Sequence, residues 1–407
     1  MRKMNSKSLL LLFLIGKSLY STDIILAQEN CDCIITHDAN QIDYTEIFQQ
    51  SIDTCGAIKV SKGNFNISRS LIINKSIKIS GDDFTHLFFK DTISDRNKPK
   101  GLFEVSNLVD LDVNNLEATG KNNYLISYLF TPNKAELERR PTVNITGNNI
   151  KGLGLIWVAP AEGFTYNRLY GNNYFQKGDI TSSLKFKEFN ILNNSINGGY
   201  WYDDVLKKKV SAIALLYCSN IVVSGNEINN YRFGIWVYGG SAFDKSTARF
   251  PTNKIFIEDI LIKDNRVMNT FSSIFISRSK DILIENNYSK NTLDVSFDLE
   301  GCIDGIVRNN ESIDASGGSF TLLNNSKNIL VKKNVSINSE NDSKLRRKRI
   351  VFIRNNNNQN RYISNYFEYL GSAIGEIRID NRLINDKTNR IEFDGNTFNN
   401  VRIVFVN

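Results

Sequence analysis

The chain has 407 residues, five prolines, two histidines and a formal net charge of +7. That length allows a large core, and no low-complexity linker forces a split into domains. The charge is mild, and no nucleic-acid partner is expected. The runs Lys207-Lys208-Lys209 and Lys344 to Arg349 are local and read as solvated loops between strands, with steering of an acidic polymer as the alternative. With only His37 and His86 present, neither beside a nucleophile motif nor in a Cys/His metal spacing, histidine triads and zinc sites are disfavoured.

Residues 1–27 have the form of an export signal: Arg2, Lys3 and Lys7, an apolar run Leu9 to Ile15, then Ala27 at the cleavage point. The run is far short of the roughly 20 residues a membrane span needs, so the mature chain is expected to be secreted, periplasmic or at the cell surface. Removing that segment, with its four positive residues and one negative, leaves +4. Five cysteines leave at least one unpaired. Cys33 with Cys55 is the preferred disulfide, and Cys218 and Cys302 are expected to be buried free thiols.

Asp43 to Cys55 carries Ile47 and Ile52 in a polar background and predicts one short amphipathic helix. Residues 57–83 then alternate in short strands broken by Lys62-Gly63-Asn64 and Gly81-Asp82-Asp83. This helix, followed by IKVSKGNFNISRSLIINKSIKISG, resembles the N-terminal cap and first coil of right-handed parallel β-helix proteins of the pectin-lyase-like superfamily. A solenoid end exposes core and unpaired backbone, so a covering helix is physically required there.

From about Asn144 a repeat appears: Asn or Asp, an apolar-alternating stretch, one or two Asn, then a small apolar element. It recurs as NITGNNI (144–150), NILNNSI (190–196), NIVVSGNEI (220–228), DILIKDNRV (259–267), DILIENNYS (281–289), DGIVRNNES (304–312), NILVKKNVS (328–336), NRYISNYFE (360–368) and NRIEFDGNTF (389–398). Spacings mostly in the twenties to low thirties suit one coil per copy. Asn tolerates the left-handed conformation of a tight corner and bonds to its copy one coil away, so these asparagines read as scaffold. A leucine-rich repeat would need a regular Leu frame and a propeller would need blade marks; the chain has neither. The expected fold is all-β: a single right-handed parallel β-helix over 28–407, with a cap at 28–60 and loop insertions at 198–209 and 239–253.

Counting back from the Asn corners registers the preceding strands. Residues 213–216, 235–238, 274–277, 297–300, 320–323 and 351–354 align, with the first and third positions apolar and inward. The outward columns then read Ala214, Trp236, Phe275, Asp298, Thr321, Phe352 and Leu216, Tyr238, Ser277, Glu300, Leu323, Arg354. Aromatic faces beside carboxylates suit a sugar groove. The plainer alternative is a surface covered by loops with solvated acids. The insertion GGYWYDDVLKKK brings Tyr200, Trp201, Asp203 and Asp204 as groups that close over the strip, or as a mere surface hairpin.

Members of the superfamily cleave or modify polysaccharides, while others are adhesins or tailspikes, so the resemblance implies a fold and a range of activities. No paired-Asp groove signature and no Arg-containing lyase motif is present. The expectation is a polysaccharide hydrolase with Asp298 and Glu300 as acid and base and Trp236, Tyr238, Arg278 and Arg354 as substrate-binding groups. Two residues along a strand separate Cα atoms by roughly 6.7 Å, nearer the inverting than the retaining carboxyl spacing. The nearest rival is a lyase in which Arg278, Arg354 or a lysine is the base and Ca2+ is held by Asp298 or Glu300 against an acidic glycan. A non-catalytic glycan-binding or adhesin-type solenoid, monomeric or trimerised side by side, is the alternative outside enzymes. No metal is required by the hydrolase reading.

Overall fold

The computed structural model describes residues 25–27, 32–91, 100–121, 123–130, 138–160, 164–165, 175–176, 183–198, 211–240, 257–339, 349–354, 359–380 and 391–406. Most of the expected leader and of both loop insertions, including Tyr200, Trp201, Asp203 and Asp204, lies outside them. Each coil of the chain contributes one strand in turn to three sheets, here I, II and III, of 14, 12 and 12 strands, parallel except where Ile25–Ala27 pairs antiparallel with Asp32–Ile35 at the edge of sheet I. A complete coil runs, for example, through Ser279–Glu285 on sheet I, Tyr288–Thr292 on sheet II and Val295–Glu300 on sheet III. The chain is a single parallel β-helix, as its repeat predicts. Among the described residues no helix is long and apolar enough to cross a membrane.

Alternation decides which side chains enter the coil. On sheet I, Ile282 and Ile284 are buried while Leu283 between them is only partly covered, as period-2 geometry requires. Stacked over many coils, the inward Ile, Val, Leu and Phe form one continuous column of core.

The corner between sheets I and II divides its labour between two adjacent residues. The first takes positive φ and is variable: Gly147, Asn193, Gly225, Asp264, Asn286, Asn309, Lys333, Ser364 and Gly395 all lie between 53° and 68°. The second is asparagine in all nine of these corners and forms a ladder through Asn148, Asn194, Asn226, Asn265, Asn287, Asn310, Asn334, Asn365 and Asn396, which begins one coil after the corner Asn115-Leu116, where the Leu116 N–H donates to Asn148 Oδ1. Each Nδ2 donates to the Oδ1 of the next rung at 2.9–3.0 Å. The same Oδ1 also accepts the backbone N–H of the rung before it. Buried amides are thereby satisfied by copies of themselves.

The helix Thr45–Thr54 closes the first coil. Phe48 and Ile52 are fully buried beneath it, with Phe48 edge-on to Phe65 at 5.8 Å. Its Gln49 Nε2 donates to the carbonyl of Ile72 at 3.1 Å, and its Oε1 accepts the Ile72 N–H at 2.8 Å. A side-chain amide thus occupies the bonds that the edge strand Leu71–Ile73 would otherwise leave open. The Cys33–Cys55 disulfide, with Cα atoms 6.0 Å apart, ties the helix end to the strand Asp32–Ile35. Cys218 and Cys302 are buried free thiols.

Candidate active site

The site lies on the outer face of sheet III. Its strands pair as the sequence registers them: Trp236 with Phe275, Phe275 with Asp298 and Asp298 with Thr321 in one column. Tyr238, Ser277, Glu300 and Leu323 form the other. Leu322 pairs with Ile353, which places Phe352 and Arg354 in the next row. On Val295–Glu300, Phe297 and Leu299 point into the core, so Asp298 and Glu300 share the outer face.

That face holds a cleft of about 400 Å³ running across the strands. Phe233, Phe275 and Tyr238 wall one end. Asp294, Asp298 and Glu300 occupy the middle. Arg349, Phe352 and Arg354 line the far end.

Asp294 has no place in the strand alternation, because it sits in the bend before the strand. Its N–H donates to the carbonyl of Phe271 at 2.8 Å, and its own carbonyl accepts the N–H of Gly317. A Cβ on Gly317 would lie 2.5 Å from the Asp294 Oδ1. The bare glycine on the following coil is therefore what makes room for the third acid. Beside it Gly318 has φ +133°, a conformation that L side chains rarely adopt.

Burial sets the protonation of these acids. Asp298 is 6 % exposed, its Oδ1 has no hydrogen-bond partner, and burial plus the charges of Glu300 and Asp294 hold its carboxyl well above the usual range. Glu300 is half-buried. Burial raises it, the Asn324 Nδ2 bond at 3.0 Å to its Oε2 opposes this, and the charge of Asp294 adds to the rise, with the result at about 7. Both carboxyls are thus held above the ordinary carboxylate range by burial and by the charge of neighbouring acids. Among the described residues no lysine or histidine lines the cleft, and no group of three His, Cys, Asp or Glu side chains is arranged to hold a metal.

The other expected site residues are placed differently. Trp236 points outward but is fully buried, with Phe233 stacked on it at 5.5 Å and Trp157 tilted at 5.9 Å. It offers no face to a sugar, which corrects its expected role as an exposed stacking platform. Tyr238 does line the cleft, although it is only 5 % exposed and its ring is edge-on to Tyr217. Arg278 is buried at positive φ next to the cleft, where it acts electrostatically on Tyr217 and Tyr238. It does not line the cleft itself. Arg354 does, with its side chain exposed. Asp294 and Arg349 were missed by sequence reasoning. The acid immediately before the strand, with a Gly-Gly step at the equivalent place one coil on, was the available signal for Asp294.

No protein-family model matches the sequence, and no curated protein sequence matches it. Solved structures do share its architecture. The A-module of mannuronan C-5 epimerase AlgE4 from Azotobacter vinelandii is similar over 90 % of this chain and 94 % of its own, with a TM-score of 0.57 at 11 % identity. The catalytic domain of a GH87 alpha-1,3-glucanase, solved with nigerose, is similar over 95 % of this chain and 70 % of its own, with a TM-score of 0.50 at 12 % identity. At such identities the likeness is one of fold, and that fold is the right-handed parallel β-helix of the pectin-lyase-like proteins.

Proposed function

We propose that this protein is an exported glycoside hydrolase that cleaves a polysaccharide in the sheet III cleft by an inverting mechanism. The observation that carries the reading is the placing of two carboxyls, Asp298 and Glu300, on one strand face in a single cleft, both raised by burial. Hydrolysis of a glycosidic bond uses such a pair, one as acid and one as base. Asp298 donates its proton to the leaving oxygen. Glu300, once ionised, takes a proton from the attacking water. Asp294, the third acid, raises both partners electrostatically and thereby helps keep Asp298 protonated.

The fold neighbours named above, an epimerase of mannuronan and a glucanase, are consistent with a polysaccharide as the substrate class. The Cys33–Cys55 disulfide suits an oxidising compartment outside the cytoplasm. Hydrolysis is preferred over Ca2+-assisted elimination on the chemistry of the bases. The arginines are poor bases because their guanidinium stays protonated.

The test is incubation of the purified mature chain with a panel of polysaccharides, following new reducing ends and, by NMR, the anomer first released. Inverted product from wild type, lost in Asp298→Asn and Glu300→Gln, is the expected result. Unsaturated uronyl ends would replace the hydrolase by a lyase. Binding that persists unchanged in both variants, with no product from any polymer, would leave a glycan-binding solenoid.

A further inference from the structure

Two carboxyls share one strand face in the cleft, and the strand itself does little to distinguish them. Asp298 and Glu300 lie two residues apart on Val295–Glu300, the first buried and the second half-buried, and both line the same cavity. The difference between them comes from the following coil. Asn324 Nδ2 donates to Glu300 Oε2 at 3.0 Å, whereas Asp298 Oδ1 has no hydrogen-bond partner. We propose that Asn324 is a positioning residue for this pair: its side-chain amide singles out Glu300 as the carboxyl that accepts a proton and leaves Asp298 as the one that donates.

The coil explains why an asparagine stands there. Glu300 pairs with Leu323, so the residues that follow them, Gly301 and Asn324, occupy the same corner one coil apart. Ser277 pairs with Glu300, which puts Arg278 at that corner one coil earlier. All three have positive φ, 46° at Arg278, 61° at Gly301 and 55° at Asn324. The corner thus demands a left-handed residue and lets the side chain vary. Glycine and asparagine adopt that conformation most readily, and of the two only asparagine brings a side-chain donor. Gly301 meets the backbone demand on the coil of Glu300 and adds nothing to the site. Asn324 meets the same demand and sends an N–H back one coil to the acid.

An amide N–H bonds an ionised carboxylate more strongly than a neutral carboxyl, so the contact favours the charged form of Glu300. It also restrains a carboxyl whose terminal torsion is otherwise broad. The neighbouring groups do not make the same distinction. Asp294 acts on both acids in one direction. Burial keeps Tyr238 and Cys302 uncharged at neutral pH. Arg278 stands at the neighbouring corner, and Arg349 and Arg354 line the far end of the cleft. All of these groups are retained in variants of Asn324.

The roles of acid and base rest on the hydrolase reading, but the inequality of the two carboxyls does not, so the first measurement needs no substrate. Carboxyl 13C NMR, with the Glu300 resonance assigned by its loss in Glu300→Gln, follows the titration in wild type, Asn324→Gly and Asn324→Asp. Glycine keeps the left-handed corner and removes the donor. Aspartate keeps the shape and sets a like charge in its place. The Glu300 midpoint, about 7 in wild type, is expected to rise by about 0.5–1 pH unit in Asn324→Gly, the worth of one such bond, and further in Asn324→Asp. The denaturant midpoint of Asn324→Gly is expected to stay close to that of wild type, and the acid limb of its pH–rate profile to move up with the titration. A Glu300 midpoint that is unchanged or lowered in Asn324→Gly overturns the inference and leaves Asn324 as a corner residue alone. A midpoint displaced as expected, with no product from wild type on any polymer, would keep the inequality of the carboxyls and sink the hydrolase.

Discussion

Asp298 and Thr321 are paired in register on neighbouring strands, and neither the acid's Oδ1 nor the hydroxyl's Oγ1 finds a hydrogen-bond partner. Both side chains are more than nine-tenths buried. Unsatisfied buried polar atoms cost free energy, so this position gives up stability to keep an acid dry. Thr321→Val removes one orphan at nearly constant shape and is expected to raise stability by about 1 kcal/mol. Urea unfolding measures it, and a loss of stability would show that the hydroxyl is partnered after all. Asp298→Asn is expected to lower kcat by about 10²–10⁴, the range for removal of a general acid, with the fold intact by circular dichroism.

The pH dependence follows from the same burial. Asp298 and Glu300 are raised above their unfolded values, so between the ordinary carboxylate range and about 7 the folded protein binds more protons than the unfolded chain. Stability therefore falls as pH rises through that window, the opposite of a salt-bridged acid. The melting temperature of wild type is expected to decline across it, and that of Asp298→Asn/Glu300→Gln to decline less. Activity needs Glu300 ionised and Asp298 protonated, so the rate should climb toward about pH 7 and drop only at higher pH. A rate that peaks at pH 4 would remove Glu300 as the base.

Gly317 offers a test of Asp294 that leaves the acid itself in place. A methyl group there would sit 2.5 Å from the Asp294 Oδ1 and 2.8 Å from its carbonyl oxygen, a contact that forces the bend to shift. Gly317→Ala is expected to cost about 1–3 kcal/mol as an overpacking change and to lower activity at least as much as Asp294→Asn does. Comparable activity of Gly317→Ala and wild type would mean that the third acid has no influence on the reaction.

The scaffold was legible because it repeats. Nine copies of one corner gave the coil count in the central region, and the registry of residues 213–354 on sheet III follows from them without correction. Alternation also identified the outer face, and with it Asp298 and Glu300. It did not reveal what lies over that face, and Trp236, expected to be open, is sealed among Phe233, Trp157 and Tyr238. Asp294 escaped for a different reason: period-2 arguments apply to strands, and its carboxyl enters the cleft from a bend. Arg349 was read as the end of a basic loop, whereas it begins the strand Arg349–Ile353. The corner itself was read as one asparagine function and is two, a left-handed residue followed by a ladder residue.

That division predicts opposite outcomes for neighbouring substitutions. Asn226 accepts from both the Nδ2 and the N–H of Asn194, and donates to Asn265 Oδ1, the Ile191 carbonyl and the Ser224 carbonyl, all at 2.9–3.1 Å. Asn226→Ala strips these bonds and strands buried groups on two coils, for an expected loss of about 3 kcal/mol or more. Asn286, with φ 56°, is a corner residue whose side chain reaches only Asp264 at the surface. Asn286→Gly keeps the left-handed conformation available and is expected to change stability by less than about 1 kcal/mol. Denaturant midpoints of the two variants, measured side by side, decide the matter. A ladder substitution as mild as the corner substitution would mean that the stacked amides follow the coil instead of holding it.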